Sequence, residues 1–356
     1  MDHSARRDRL RDPLDELHVD ALLVTRLVNV RYLTGFTGSN GQLLAIAGGG
    51  VFFTDSRYEE QSLREVPDLE RRTYPHRFAQ FLDAACRTLS IRRLGFESAG
   101  VTYKTWQDLD AMEGIELVPT QDVIERMRWV KDADELVLIE RAQAATDEAF
   151  ERVTSKLAEG VTEKEVAFEL EVAMREAGAD AAGFSTIAAF GENAAEPHHG
   201  PTDRPLAKGD VVKLDFGSKV DGYHSDMTRT VAFGEPDPHL REIHRIVLEA
   251  HEAGAAAVRP GAPARDADAA ARTVIEEAGY GDSFGHSLGH GIGLEVHEGP
   301  SLRASSDDLL PEGTVVTVEP GIYLPGLGGV RIEDMVVVES NGGRALPATP
   351  KELLRL

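Results

Sequence analysis

VVKLDFG, residues 211–217, and VVTVEPG, residues 315–321, set an acid at the same point of two apolar runs: Asp215 and Glu319. LAKGDVVKLDFG and LPEGTVVTVEPG align without a gap and match at Leu206 and Leu310, Gly209 and Gly313, Val211 and Val315, Val212 and Val316, and Gly217 and Gly321. Glu319 therefore follows Asp215 by 104 residues (319 minus 215). Valine-rich runs of this length read as strands. A bare carboxylate buried in a strand costs on the order of several kcal/mol. A chain that repeats that cost needs a reason, and bound cations supply one.

Outward from each acid the pattern is a hairpin. The first is VVKLDFGSKVDGYHSDMTRTVAF, with Asp221-Gly222 as its turn signal. The second is TVVTVEPGIYLPGLGGVRIEDMVVVE. Each return arm carries another acid: Asp226, 11 residues after Asp215 (226 minus 215), and Glu333, 14 residues after Glu319 (333 minus 319). Across a hairpin such residues can stand opposite or diagonal to one another.

Two helices precede each hairpin. DADELVLIERAQAATDEAFERVTSKLAEG is amphipathic, with Leu136, Ile139, Phe150, Val153 and Leu157 largely on one stripe, and Gly160 is its expected end. TEKE, residues 162–165, is a capping box that opens a helix stopping at Gly178. PHLREIHRIVLEAHEAGAAAV and RDADAAARTVIEEAG repeat that order, ending before Pro260-Gly261 and at Gly279. Helix, helix, hairpin, twice over, predicts a pseudo-symmetric domain over residues 123–356 with a site between its halves.

Residues 1–122 read as a separate α/β domain. DALLVT, GQLLAIA, VFFT, RRLGFE and IELVPT are its expected strands, and RYEEQSLREV and RFAQFLDAACRTL its expected helices. TGFTGSNG is glycine-rich, but no Lys-Ser/Thr pair follows it to make a phosphate loop. Cys86, the single cysteine, falls on the apolar face of the second helix and reads as core.

GHSLGHGIGLEVHEG, residues 285–299, brings His286, His290 and His297 near the acids in sequence, and EPHHG brings His198 and His199. His286 and His290 have HxxxH spacing, but Ser287 stands where a zincin has glutamate, and Gly285, Gly289, Gly291 and Gly293 oppose a helix. An irregular backbone that lets one imidazole approach a metal fits better. One imidazole with four carboxylates is an oxygen-rich set suited to Mn, Co or Zn, and able to hold two ions. Paired ions activate a bridging water and polarise a carbonyl, so the expected reaction class is metal-assisted hydrolysis.

With these motifs the chain resembles the pita-bread metallopeptidases, the family of methionine aminopeptidase, aminopeptidase P and prolidase. The resemblance covers nearly the whole chain and implies a creatinase-like α/β amino-terminal domain followed by an α+β pita-bread catalytic domain with a pseudo-two-fold axis. It implies metal ligation by Asp215 in LDFG, Asp226 in SDMTRT, His290 in GHGIG, Glu319 in VEPG and Glu333 in RIED. By the same resemblance Asp226 and Glu333 bridge two ions, Asp215 completes one site, and His290 and Glu319 complete the other. Glu319 also serves as general base. His198 contacts the scissile peptide, and His297 steadies the tetrahedral intermediate. His286 and Arg331 match substrate-binding residues of the proline-specific branch. Tyr223 and Thr228 match residues around the ligands, with structural packing as the alternative, and His199 reads as a neighbour without a catalytic role.

The amino-terminal domain together with all five ligands favours a proline-specific exopeptidase over a methionine aminopeptidase or a creatinase-like protein. Proline forms a tertiary amide without an N–H, so a dedicated enzyme is chemically sensible. The expected substrate is a peptide with proline second, cut as by aminopeptidase P, with Xaa-Pro dipeptidase as the alternative and a non-catalytic binding module as the remote one. A homodimer, or a pair of them, is expected from the family, with the amino-terminal domain shaping the substrate site.

Bulk properties narrow the partners. The formal net charge is −23 over 356 residues, which repels a phosphate backbone and argues against nucleic acid. No apolar run is long enough to span a bilayer, and no apolar core of a secretion signal follows MDHSARRDRLRD. With one cysteine no intrachain disulfide forms, and a cytoplasmic location is the expectation.

Overall fold

The computed structural model describes residues 1–356. The chain forms two compact units, Met1–Arg128 and Trp129–Leu356. In the first, helices α1 (His3–Asp8) and α2 (Arg11–Glu16) precede β1 (Ala21–Val24), α3 (Leu27–Thr34), β2 (Gln42–Ile46), β3 (Gly49–Thr54) and α4 (Glu59–Glu65). Then come β4 (Glu70–Thr73), α5 (Phe78–Thr88), β5 (Arg93–Glu97), α6 (Tyr103–Asp110), β6 (Glu116–Thr120) and α7 (Val123–Trp129). The strands form one mixed sheet in the order β4-β3-β2-β1-β5-β6.

The five expected strands and both expected helices are present. The sequence reading passed over β4 because ERRT carries charge in place of an apolar alternation. Cys86 packs with Leu82, Ala85 and Phe53 in the core, and burial pushes its thiol up to about 12. The units divide at residues 128 and 129, six residues beyond the expected boundary at 122, because α7 is bonded into the first unit. Asn29 donates to Glu125 at 2.7 Å, and Arg128 donates to Asn29 at 2.7 Å.

The second unit opens with α8 (Ala133–Thr154), begun by an Asp132/Glu135 capping box. The helix ends six residues short of the expected Gly160, because the chain turns so that the Gly160 N–H can bond the Leu206 carbonyl at 2.9 Å. Its buried face runs through Leu138, Ile139, Ala142, Ala145, Ala149, Phe150 and Val153, while Leu136 and Leu157 are only half-buried. The Thr162/Glu165 capping box opens α9 (Glu163–Glu176), and Gly178 follows it at φ +103°.

Next come β7 (Ala181–Ala182), β8 (Ile187–Phe190), β9 (Val211–Phe216), β10 (Ser218–Val220), β11 (Tyr223–His224) and β12 (Met227–Ala232). Asp221 and Gly222, at φ 44° and 80°, make the left-handed turn between β10 and β11 that Asp-Gly favours. The second half repeats the order: α10 (Pro238–Ala257), α11 (Ala264–Glu277), β13 (Gly289–Gly291), β14 (Glu298–Leu302), β15 (Val315–Val318), β16 (Gly321–Leu324), β17 (Gly328–Arg331), β18 (Asp334–Glu339) and β19 (Gly342–Ala345).

The halves correspond in their central strands. β9 lies between β12 and β8, and β15 lies between β18 and β13. The excursion β10–β11 in one half answers β16–β17 in the other. A shared apolar core packs Ile243, Val247, Ala250, Ala271 and Ile275 of the second helix pair against Val316, Val318, Ile332 and Val336. The two hairpins are stitched where their return arms meet: the Glu333 N–H bonds the Thr228 carbonyl at 3.1 Å, and the Arg331 N–H bonds Thr230 Oγ1 at 3.2 Å.

Candidate metal centre and substrate cavity

The strand register fixes where the acids point. Asp215 pairs with Thr228 across the β9–β12 ladder, so Asp226 stands diagonal to it. Val318 and Asp334 are the last pair between β15 and β18, and Glu319 and Glu333 each lie one residue beyond it. All four carboxylates face one cavity of about 540 Å³, which His198, His286, His290, His297 and Arg331 also line.

Glycine lets the histidine in. A Cβ on Gly289 would fall 1.9 Å from the Thr317 carbonyl oxygen, and one on Gly291 would fall 2.0 Å from that of Gly299. Only a bare backbone can thread β13 between β14 and β15 here. His290 is held by its own N–H to Thr317 Oγ1 at 3.0 Å. Its Nδ1 lies 3.0 Å from the Gly291 carbonyl oxygen, which can only accept, so the ring proton sits on Nδ1. The Nε2 lone pair is then directed at the acids, 3.4 Å from Glu319 Oε1 and 3.8 Å from Asp226 Oδ2. That tautomer is the one a metal-ligating histidine takes.

Electrostatics say that the centre lacks positive charge. Burial, then the charges of Glu333, Asp215 and Glu319, raises the Asp226 carboxyl well above its ordinary value. Burial, then Glu319 and Asp215, does the same to Glu333. Burial pushes Glu319 up to about 7, with Arg331 opposing and Asp215 adding. Arg331 bonds Asp215 directly and is the one arginine or lysine among the residues lining the cavity. Asp215 Oδ1 is buried with no hydrogen-bond partner. An orphaned carboxylate oxygen, neighbouring carboxyls driven toward protonation and an imidazole lone pair make a donor set that fits divalent cations. Ligand atoms of Asp226, His290 and Glu333 already lie within 4.8 Å of one another.

The remaining expected residues fall as follows. His198 and His297 line the cavity with exposed rings, and His297 packs edge-on to His290 at 4.4 Å between ring centroids. His286 Nε2 meets the Tyr323 hydroxyl at 2.9 Å, and burial lowers its pKa to about 4. Arg331, 2 % exposed, donates to Thr228, Pro197 and Tyr323 as well as to Asp215, so the protein itself takes up its guanidinium. Thr228 donates to Glu333 Oε2 at 2.6 Å and so touches a site acid, whereas the Tyr223 hydroxyl donates to Glu135 on α8.

Sequence reasoning missed Tyr323, which joins His286 to Arg331, and Lys213, buried two residues before Asp215. A lysine inside VVKLDFG was the available signal for the second; nothing in GIYL marked the first.

The pattern of metallopeptidase family M24 matches residues 137–340, and that of the creatinase/prolidase amino-terminal domain matches residues 6–130. The chain belongs to metallopeptidase family M24. This M24 chain is 36 % identical over 350 residues to an Xaa-Pro dipeptidase of Pyrococcus furiosus, covering 98 % of the chain and 99 % of the relative. Among solved structures, an Xaa-Pro dipeptidase from Bacillus anthracis is similar at TM-score 0.97 and 41 % identity, with both chains covered completely. An X-Pro aminopeptidase from Thermotoga maritima MSB8 is similar at TM-score 0.90 and 37 % identity, covering 99 % of this chain and 100 % of that one. The fold is thus the two-part architecture of this family: a creatinase-type amino-terminal domain and a pita-bread catalytic domain. M24 membership makes the protein a metallopeptidase that requires divalent metal. No helix is long and apolar enough to cross a membrane.

Proposed function

We propose that this protein is a dinuclear metallo-exopeptidase that hydrolyses the bond between an amino-terminal residue and a following proline. The observation that carries the reading is the convergence of Asp215, Asp226, His290, Glu319 and Glu333 on one cavity, with Asp215 Oδ1 unpartnered and three of the four carboxyls raised. These five residues would hold two divalent ions, and an oxygen-rich set favours Mn, with Co or Zn as substitutes. Bound there, such ions lower the pKa of water and polarise the scissile carbonyl.

The side chains supply the rest. Glu319 would take a proton from the attacking water and return it to the leaving proline nitrogen. Thr317 Oγ1 donates to Glu319 Oε1 at 3.2 Å and orients the carboxylate. His198 would contact the scissile peptide, and His297 would donate to the oxyanion as it develops. His286 and Arg331, joined through the Tyr323 hydroxyl, would form the wall against which the proline ring rests. Arg331 shapes that wall and sets Asp215 more than it reaches the substrate.

Two substrate lengths fit. The sequence reading favours longer Xaa-Pro peptides, and the Thermotoga maritima neighbour carries an aminopeptidase name. The dipeptidase names of relatives at 36 % and 41 % identity favour Xaa-Pro alone. The test is cleavage of Arg-Pro-Pro against Ala-Pro by Mn-loaded protein. Release of free Arg from the tripeptide assigns an aminopeptidase. Cleavage of the dipeptide alone assigns a dipeptidase. Cleavage of neither overturns the proline reading.

A further inference from the structure

The loop that carries His198 is held from two directions. From one, Lys213 reaches out of β9 and its Nζ donates to the carbonyls of Ala194 at 3.1 Å, Glu196 at 2.5 Å and Pro197 at 3.4 Å. Arg331 adds a bond to the same Pro197 carbonyl at 3.1 Å. The backbone up to the residue before His198 is thereby fixed.

From the other direction comes His199. Its ring, 6 % exposed, stands between two carboxylates: Nδ1 is 2.9 Å from Glu196 Oε2, and Nε2 is 2.9 Å from Glu163 Oε2. An ionised carboxylate only accepts, and a neutral imidazole has a single N–H. Both contacts are hydrogen bonds only when the ring carries both protons. Glu163, the first residue of α9 and 0 % exposed, is anchored in turn by the Phe190 and Thr202 N–H groups at 2.8 and 2.9 Å, by Thr202 Oγ1 at 2.6 Å and by Asn193 Nδ2 at 2.9 Å. The acid ties both ends of the loop, residues 190–202, to one helix terminus.

We propose that His199, as a cation bracketed by Glu163 and Glu196, is a positioning residue that holds neighbouring His198 at the substrate cavity. This rests on the function proposed above for its catalytic readout. The groups that face His199 are Glu163 from α9 and Glu196 from its own loop; Arg204, paired with Asp210, feels the charge of Glu163, and Lys213 of β9, which burial lowers to about 7, feels that of Glu196. Burial alone would lower its pKa, but the bonds to Glu196 and Glu163 outweigh burial and raise it. A raised folded value means that the contribution is whole at low pH and is lost as pH rises through that value. Above it the ring keeps one N–H, one carboxylate loses its donor, and the loop loosens.

The experiment compares wild type, His199→Gln and Glu196→Gln as Mn-loaded full-length protein, following kcat and KM on an Xaa-Pro peptide across pH. Glutamine at 199 should leave metal content unchanged, lower kcat roughly ten- to a hundredfold with little change in KM, and abolish the alkaline limb of the wild-type profile. Glu196→Gln, at a side chain 70 % exposed, should move that limb to lower pH, because one of the two carboxylates that raise the His199 pKa is gone. A kcat and pH profile unchanged in His199→Gln overturns the proposal. If that variant does not fold, an unmoved limb in Glu196→Gln overturns it. Should wild type cut no Xaa-Pro peptide, the function fails separately, and the clamp is read by NMR. There the His199 ring should titrate at lower pH in Glu196→Gln and the His198 resonance should broaden; neither change occurring overturns it.

Discussion

Asp226 and Glu319 show how single residues bear on both the stability of the fold and the proposed chemistry of the centre. Their carboxyls are raised by burial first; the charge of Glu333 then adds at Asp226, while at Glu319 Arg331 opposes and Asp215 adds. A group raised in the folded state binds more protons there than in the unfolded chain, so stability falls as pH rises between the two values. For Glu319 that window runs from about 4.3 to about 7. Chelator-stripped protein is therefore expected to melt at progressively lower temperature from weakly acidic to neutral pH, and the gain from Mn should grow over the same range. A stripped protein whose Tm rises there would contradict this. Asp226→Ala, if Asp226 serves both ions, should lose activity and lower metal content, measured by elemental analysis beside turnover. His297→Ala should keep its metal and lower kcat on the order of a hundredfold or more, the usual loss for an oxyanion donor; loss of metal would make His297 a ligand. The acids were legible because a carboxylate in VVKLDFG or VVTVEPG breaks the apolar period. Tyr323 was not, since an aromatic residue in a strand is what a strand already favours.

Elements decide whether these residues meet. β13 is three residues long and carries His290 between two glycines that no other side chain can replace. Gly289→Ala would drive a Cβ against the Thr317 carbonyl, and the same Thr317 carries the hydroxyl that bonds the His290 N–H. That variant is expected to lose on the order of 1–3 kcal/mol or more and to bind metal more weakly, read by calorimetry with and without Mn. Unchanged metal affinity would mean that β13 does not set the histidine. The glycine run GHGIG signalled an irregular backbone in the sequence, yet its form as a bulged strand inserted between β14 and β15 depends on residues 299 and 317, which no local pattern links to it. The end of α8 at Thr154 has the same origin: Gly160 looked like a helix stop, but its N–H is claimed by Leu206, a partner 46 residues away (206 minus 160).

At the scale of the whole molecule, the duplicated helix, helix, hairpin order was legible because the stretches leading into the first acids align without a gap, and each half contributes one acid pair to the cavity lining. The stitching of the halves was not legible: it rests on Arg331, Thr228 and Thr230, polar residues that pair across 101 to 103 positions of sequence. The assembly is expected to be a homodimer, or two dimers paired, with residues 1–128 contributing to the contact. Light scattering of the full chain and of Trp129–Leu356 alone checks this, and a monomeric full chain would remove the assembly without touching the chemistry. The central claim is that two metal ions held by five residues make an Xaa-Pro hydrolase. The most direct test is to titrate stripped protein with Mn while following proline release from an Xaa-Pro peptide. Activity should be absent without metal and climb to a plateau at two equivalents per chain, with Asp226→Ala flat throughout; full proline release from the stripped protein would contradict the account.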